Sequence, residues 1–297
     1  MTDPRSLLDP AFVRELEALR RRLSLTVQSG GAGDRAARRR GGSAEFQDHR
    51  PYAAGDDLRR VDWAAFARTG EPVLKLFRAE EDSVLRLLVD ASASLGFGTP
   101  QKWSVAQRLA AAIGYLGLAN GQRTQVFIAR EASGRALSRV STPRRGRSAL
   151  PALLRDLSEP VAGGSTDLGR AVGQLLQLAP RPGLLVVISD FLDPSAVTRA
   201  LSHASAAGHQ VALMQVLARE ELEPSLEGDF SLVDAESNAE VELSLDAAAV
   251  DAYLARLTGL IEELRSWCQK HRASYVRTTT DEALEGAVRR FVARETD

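Results

Sequence analysis

The 297-residue sequence predicts an α/β fold, a doubly wound and mostly parallel sheet behind an N-terminal irregular or helical extension. Three observations lead there. From residue 83 onward, short apolar β-prone runs alternate with longer amphipathic stretches, the pattern of successive strand–helix units. The run GLLVVIS at 183–189 is almost continuously apolar, as expected of a central parallel strand covered on both faces. Polar clusters follow several of these runs, at the strand ends where such sheets gather their functional loops.

The elements follow in order. Asp9 and Pro10 read as an N-cap and first helical position, and Phe12, Leu16, Leu19 and Leu23 share one face of a helix over 10–23. The stretch SGGAGDRAARRRGGS at 29–43 has no apolar periodicity and reads as a mobile linker, so residues 1–40 form a helix-and-linker region. Residues 41–82 form a second segment, expected to lie packed on a main domain at 83–297. Within that domain, strands are expected at 83–90, 124–129, 136–141, 183–189, 209–216 and 274–278. Helices are expected at 101–119, 147–157, 167–178, 194–206, 247–271 and 282–293, with one or two short strands in an acidic segment near 230–245.

Bulk properties narrow the class. Hydrophobic residues make up 44% of the chain and charged residues 26%, an ordinary globular balance. A single cysteine, Cys268, excludes an intrachain disulfide and fits a reducing compartment. The first residues carry no apolar run of the signal-peptide kind, and no segment reaches the roughly 18–20 apolar residues needed to cross a bilayer. A soluble, cytoplasmic protein is expected. The net charge of −1 hides segregation. Residues 20–40 hold seven arginines against Asp34 alone, 121–155 hold eight against Glu131 alone, and 219–246 hold ten acids against Arg219 alone. Such asymmetry suits oriented contact with another macromolecule, and equally suits solvated faces that happen to cluster.

Three strand-end clusters carry the chemistry. Asp90-Ala91-Ser92-Ala93-Ser94 follows the first main-domain strand, Gly163-Gly164-Ser165-Thr166-Asp167 opens a helix, and Ser189-Asp190 ends the central strand. They offer carboxylate and hydroxyl oxygens and no soft ligand, a donor set for Mg²⁺ or Mn²⁺, with Ca²⁺ possible, rather than zinc. The same residue types also serve as helix caps, so capping is the plainer reading of each cluster taken alone. No P-loop lysine spacing, no GxGxxG and no catalytic triad spacing occurs.

DASAS at 90–94, Thr166 within GGSTDL and Asp190 within VISDF resemble the metal-ion-dependent adhesion site of von Willebrand factor A-like domains, which have a Rossmann-type layout. The resemblance implies that Ser92 and Ser94 ligate the metal directly and Thr166 directly or through water. Asp90 and Asp190 would act largely through water and order the loops. Upstream, Glu45-Phe46, Arg50-Pro51-Tyr52, Gly55-Asp56-Asp57, Arg59, Asp62-Trp63 and Ala67-Arg68 resemble the signature of the bacterial domain-of-unknown-function family 58. Many members of that family are encoded beside MoxR-type AAA+ ATPases, which implies such an ATPase as partner.

Two functions compete. The first is a non-enzymatic interaction module whose metal grips a partner's carboxylate, acting as adaptor to the ATPase. The second is a Mg²⁺- or Mn²⁺-dependent phosphohydrolase using Asp90. Such enzymes need a lysine at a later strand end, and Lys75 and Lys102 are the only lysines before Lys270. Nucleic-acid binding through the arginine stretches lacks interleaved aromatics and any base-reading motif. The set Arg50, Asp56, Asp57, Arg59, Asp62 and Arg68 reads either as a catalytic constellation or as a network pinning the 41–82 segment to the sheet. His49 reads as a packed or surface residue, and Trp63, Phe66 and Phe77 as core or docking aromatics.

Overall fold

The computed structural model describes residues 7–23, 25, 44–53, 56–79, 84–192, 194–224, 228–233, 240–245 and 247–293. The linker expected at 29–43 lies outside them. The chain divides into two compact units, Met1–Gly30 with Ser83–Asp297, and Gly31–Asp82.

In the larger unit, helix α1 (Pro10–Arg22) is capped as expected, with Asp9 accepting from the Ala11 amide at 2.8 Å. In the smaller unit, strands β1 (Ala44–Pro51) and β2 (Val73–Ala79) pair antiparallel, with a register shift between Phe46 and Asp48. Helix α2 (Trp63–Thr69) lies between them in sequence and ends at Gly70, whose φ of +76° suits glycine. An irregular or helical segment was the expectation here. The strand pair escapes pattern reading because β1, AEFQDHRP, alternates poorly and ends in proline.

The acids of this unit close local turns. Asp62 caps α2 through the Ala64 and Ala65 amides, both at 3.1 Å. Asp57 caps the 3₁₀ turn Leu58–Arg60, and Asp56 accepts from Arg50 at 2.8 Å and from the Ala53 amide at 2.9 Å. His49 meets Asp62 at 2.9 Å. These bonds hold the unit's own backbone. Trp63 is 60% exposed and packs edge-on to Phe66 with ring centroids 6.1 Å apart, so it is not a core residue.

The larger unit continues with β3 (Val84–Asp90), α3 (Lys102–Ala119), β4 (Arg123–Ala132), β5 (Arg135–Val140), α4 (Leu150–Ser158), α5 (Leu168–Leu178), β6 (Leu184–Ser189), α6 (Pro194–Ala206) and β7 (Gln210–Leu217). A one-turn helix α7 (Arg219–Leu222), the strand pair β8 (Gly228–Val233) and β9 (Glu240–Leu245), α8 (Ala247–His271), β10 (Ser274–Thr279) and α9 (Leu284–Ala293) complete it. The main sheet runs β10-β7-β6-β3-β4-β5, parallel except for the antiparallel edge strand β5. The β4–β5 hairpin turns at Ser133 and Gly134, both with positive φ, the two-residue turn whose twist matches the strands.

Helices cover both faces, as the fold class requires. One core gathers Phe12, Leu16 and Leu19 of α1 with α3, α4 and α9 against Leu87, Val89 and Val126. The other gathers α5, α6 and α8 against Leu88, Phe127, Leu185 and Leu213. Strand order reverses beside β3: α3 leads to β4 on one side, while β6 lies on the other. A crevice at the carboxyl ends of β3 and β6 follows from that reversal.

Candidate metal centre

Asp90 and Asp190 stand in that crevice, each 3% exposed, one ending β3 and the other following β6. The Asp90 carboxylate is held on both oxygens, by the Ser92 amide at 2.9 Å and the Ser189 hydroxyl at 2.7 Å. Ser189 also accepts from the Phe191 amide at 3.0 Å, in a turn where Phe191 takes φ +51°. The Ser92 and Ser94 hydroxyl oxygens are 2.9 Å apart.

The glycine loop is stitched to this one through the backbone. Gly163 donates to the Ala91 carbonyl and Ala93 to the Gly164 carbonyl, both at 2.9 Å. Gly164 has φ +71°, a conformation that suits glycine. The Ala129 carbonyl of β4, level with Asp90 in the sheet, accepts from both the Ala91 amide (2.9 Å) and the Thr166 hydroxyl (3.3 Å). Asp167 caps α5 through the Arg170 amide at 2.8 Å, so the capping role falls to Asp167 and leaves Thr166 to the loop.

Groups that sequence reading did not place at the site complete the cluster. Lys102, at the start of α3 and fully buried, donates to Asp190 Oδ2 at 2.8 Å and to Glu221 Oε1 at 2.6 Å. Glu221 in turn accepts from the Ala218 amide at 2.7 Å. Gln215 of β7 donates to the Asp190 carbonyl at 2.8 Å and accepts from the Tyr275 hydroxyl at 2.5 Å. Lys102 lies 88 residues from Asp190 in sequence, and a lysine inside an Ala-rich helix gives no signal of its own. It reaches the strand end from a neighbouring helix, a position that the strand-end search had no way to include.

Burial, and then the nearby Asp190 charge, raise the Asp90 pKa from 3.8 to about 6, against the Ser189 and Ser92 hydrogen bonds. Burial alone would lower the Lys102 pKa, but the Asp190 and Glu221 charges outweigh it and raise it. The carboxylate and hydroxyl oxygens here are of the kind a small hard cation takes, but Asp190 is already paired with the Lys102 ammonium, and no three acids, histidines or cysteines converge among the described residues. Ser92, Ser94 and Thr166 would supply hydroxyl ligands, with Asp90 and Asp190 beside them.

Residues 48–258 match the family described as "Protein of unknown function DUF58". The chain is 38% identical over 248 residues to "Uncharacterized protein Rv1480" of Mycobacterium tuberculosis and to "Uncharacterized protein Mb1516" of Mycobacterium bovis. Each alignment covers 80% of this chain and 77% of the relative. Among solved structures, similarity is found to BatB from Bacteroides thetaiotaomicron, at 14% identity and a TM-score of 0.44, covering 71% of this chain and 98% of that one. No helix among the described residues is long and apolar enough to cross a membrane.

Proposed function

The chain belongs to the DUF58 family, and from that premise we propose that it is a metal-dependent interaction module that grips a partner's carboxylate. The observation that carries the reading is the backbone stitching of loops 90–94 and 163–166, which brings Thr166 to the same carbonyl as Ala91, while the Ser189 hydroxyl ties the end of β6, next to Asp190, to the Asp90 carboxylate. A hydroxyl-rich donor set leaves a divalent ion under-neutralised, so an incoming carboxylate supplies the missing charge. Mg²⁺ or Mn²⁺ suits these ligands best. The partner most in keeping with the family resemblance is a MoxR-type AAA+ ATPase, with this chain as its adaptor.

Calorimetry of the purified chain with Mg²⁺ and Mn²⁺ should show one saturable, weak site that Ser94→Ala weakens and Asp90→Ala abolishes. Unchanged isotherms in both variants would remove the site. A pulldown from native lysate should lose its bound ATPase in EDTA, and retention of that partner under chelation would sink the carboxylate-gripping mechanism.

Lys102 gives the phosphohydrolase reading one observation in its favour, a buried ammonium at a strand-end carboxylate. It touches Asp190 and Glu221, however, and Asp90 is held instead by Ser92 and Ser189. Turnover of a generic phosphoester that Asp90→Asn abolishes would favour the enzyme.

A further inference from the structure

At the other end of the same strand lies a second polar feature. Arg86 stands four residues before Asp90, about 13 Å along β3 at ordinary strand rise, and on the same face of the sheet. It is 3% exposed, and its Nε and Nη1 have no hydrogen-bond partner. His209, immediately before β7, is 4% exposed, and both of its ring nitrogens also lack partners. The guanidinium lies against Gly183 at the start of β6, where an added Cβ would come within 3.0 Å of Nη1 and 2.4 Å of the Val84 carbonyl. Glycine therefore makes the room that Arg86 occupies.

A buried guanidinium with no acid paired to it among the described residues is costly, and a buried imidazole with two unpaired nitrogens adds to that cost. Truncated or apolar residues would be cheaper at both positions. Gly183, against which the guanidinium lies, accepts a hydrogen bond from Gln210, the residue after His209. Burial first and the Arg86 charge second lower the His209 pKa to about 4, so the imidazole is neutral at pH 7 and the pair carries a single positive charge.

We propose that Arg86 and His209 form an anion site at the amino-terminal edge of the central sheet, taking one small monoanion of chloride or formate size. One guanidinium charge calls for one negative charge, and a site this buried admits a small ion before a bulky one. The imidazole N–H is the second donor to the bound ion. The site is separate from the metal centre and stands whether or not that centre binds metal.

Thermal unfolding of the full chain tests this at constant ionic strength in sodium gluconate, chloride and formate. Gluconate is a monoanion too large to enter. Chloride or formate should raise the wild-type Tm saturably, by about 2–4 °C, with no such rise in gluconate. Arg86→Met should abolish the response, and in gluconate the variant should melt no lower than the wild type, because an uncompensated cation has been replaced by an apolar chain. Should that variant fail to fold, the wild-type His209 ring signals, assigned by their loss in His209→Gln, should shift saturably with chloride or formate. Equal behaviour in all three salts, or a response that survives Arg86→Met, overturns the site. So does a wild type that ignores added anions while Arg86→Met loses stability, since Arg86 would then be satisfied from within the chain.

Discussion

His209 makes a pH prediction of definite sign. Burial first, and the Arg86 charge second, lower its pKa from 6.5 to about 4. Between those values the unfolded chain binds a proton that the folded chain refuses. Stability present above pH 6.5 is therefore lost as pH falls toward 4, by about 3 kcal/mol in total. Asp90, raised to about 6, contributes the opposite slope over part of this window in both proteins. Urea denaturation in gluconate buffer should therefore show the His209 loss as the difference between wild type and His209→Gln; identical slopes in the two would mean that other groups carry it. Lys102 makes a second prediction. Lys102→Met leaves buried Asp190 and part-buried Glu221 without their cation, and breaking such a pair costs about 3–5 kcal/mol. If the neighbouring oxygens hold metal, added Mg²⁺ should raise the Tm of Lys102→Met more than that of the wild type. Equal increments, or none, would count against the metal centre.

Elements explain why the larger unit gathers residues so far apart in sequence. Helix α1 packs on α3 across some ninety residues: Glu15 pairs with Arg108 at 2.6 Å, Glu17 accepts from Tyr115, and the Leu25 carbonyl accepts from Asn120 and Gln122. The Arg108 guanidinium also lies 4.4 Å from the Phe12 ring centroid. Leu16→Ala should therefore destabilise the whole unit, by about 2–5 kcal/mol, as a core truncation does. Chemical denaturation measures this directly, and a loss under about 0.5 kcal/mol, the range of ordinary surface substitutions, would show α1 to be peripheral. Helix α3 is rich in small residues because it runs close to the sheet: a Cβ at Gly117 would meet Leu85 at 2.5 Å. Its length was legible from the apolar pattern, while that approach distance was not.

For the molecule as a whole, charge read along the chain overstated the basic face. The 121–155 stretch stops one residue short of Asp156, which pairs with Arg139 at 3.1 Å and also with Arg144, while Glu159 takes the other arm of Arg139. These arginines hold α4 against β5 and its neighbouring loop. Arg147 is different, more than half exposed and only 3.7 Å from Glu17. Both Arg144→Glu and Arg147→Glu set two acids together, but the Arg144 pair is the more buried, so Arg144→Glu should lower Tm by more, while Arg147→Glu should mainly slow association with an acidic partner. Surface plasmon resonance against the protein recovered by pulldown, at two salt concentrations, separates the cases. An unchanged Tm in Arg144→Glu would restore that arginine to the steering surface.

The sequence by itself determined the order of strands and helices in the main domain, because apolar periodicity is local and survives without knowledge of neighbours. It also marked Asp90, Ser92, Ser94, Thr166 and Asp190, because strand ends and their polar loops are contiguous in the chain. Only the tertiary structure decided what stands around them. Lys102, Glu221 and Gln215 come from helices and strands distant in sequence, and whether a lysine is solvated or buried against two acids depends on packing. The same holds for Arg86, which reads as one charge within an apolar strand. Its unpartnered Nε and Nη1, and the nearness of His209 and Gly183, exist only once β3, β6 and β7 lie side by side.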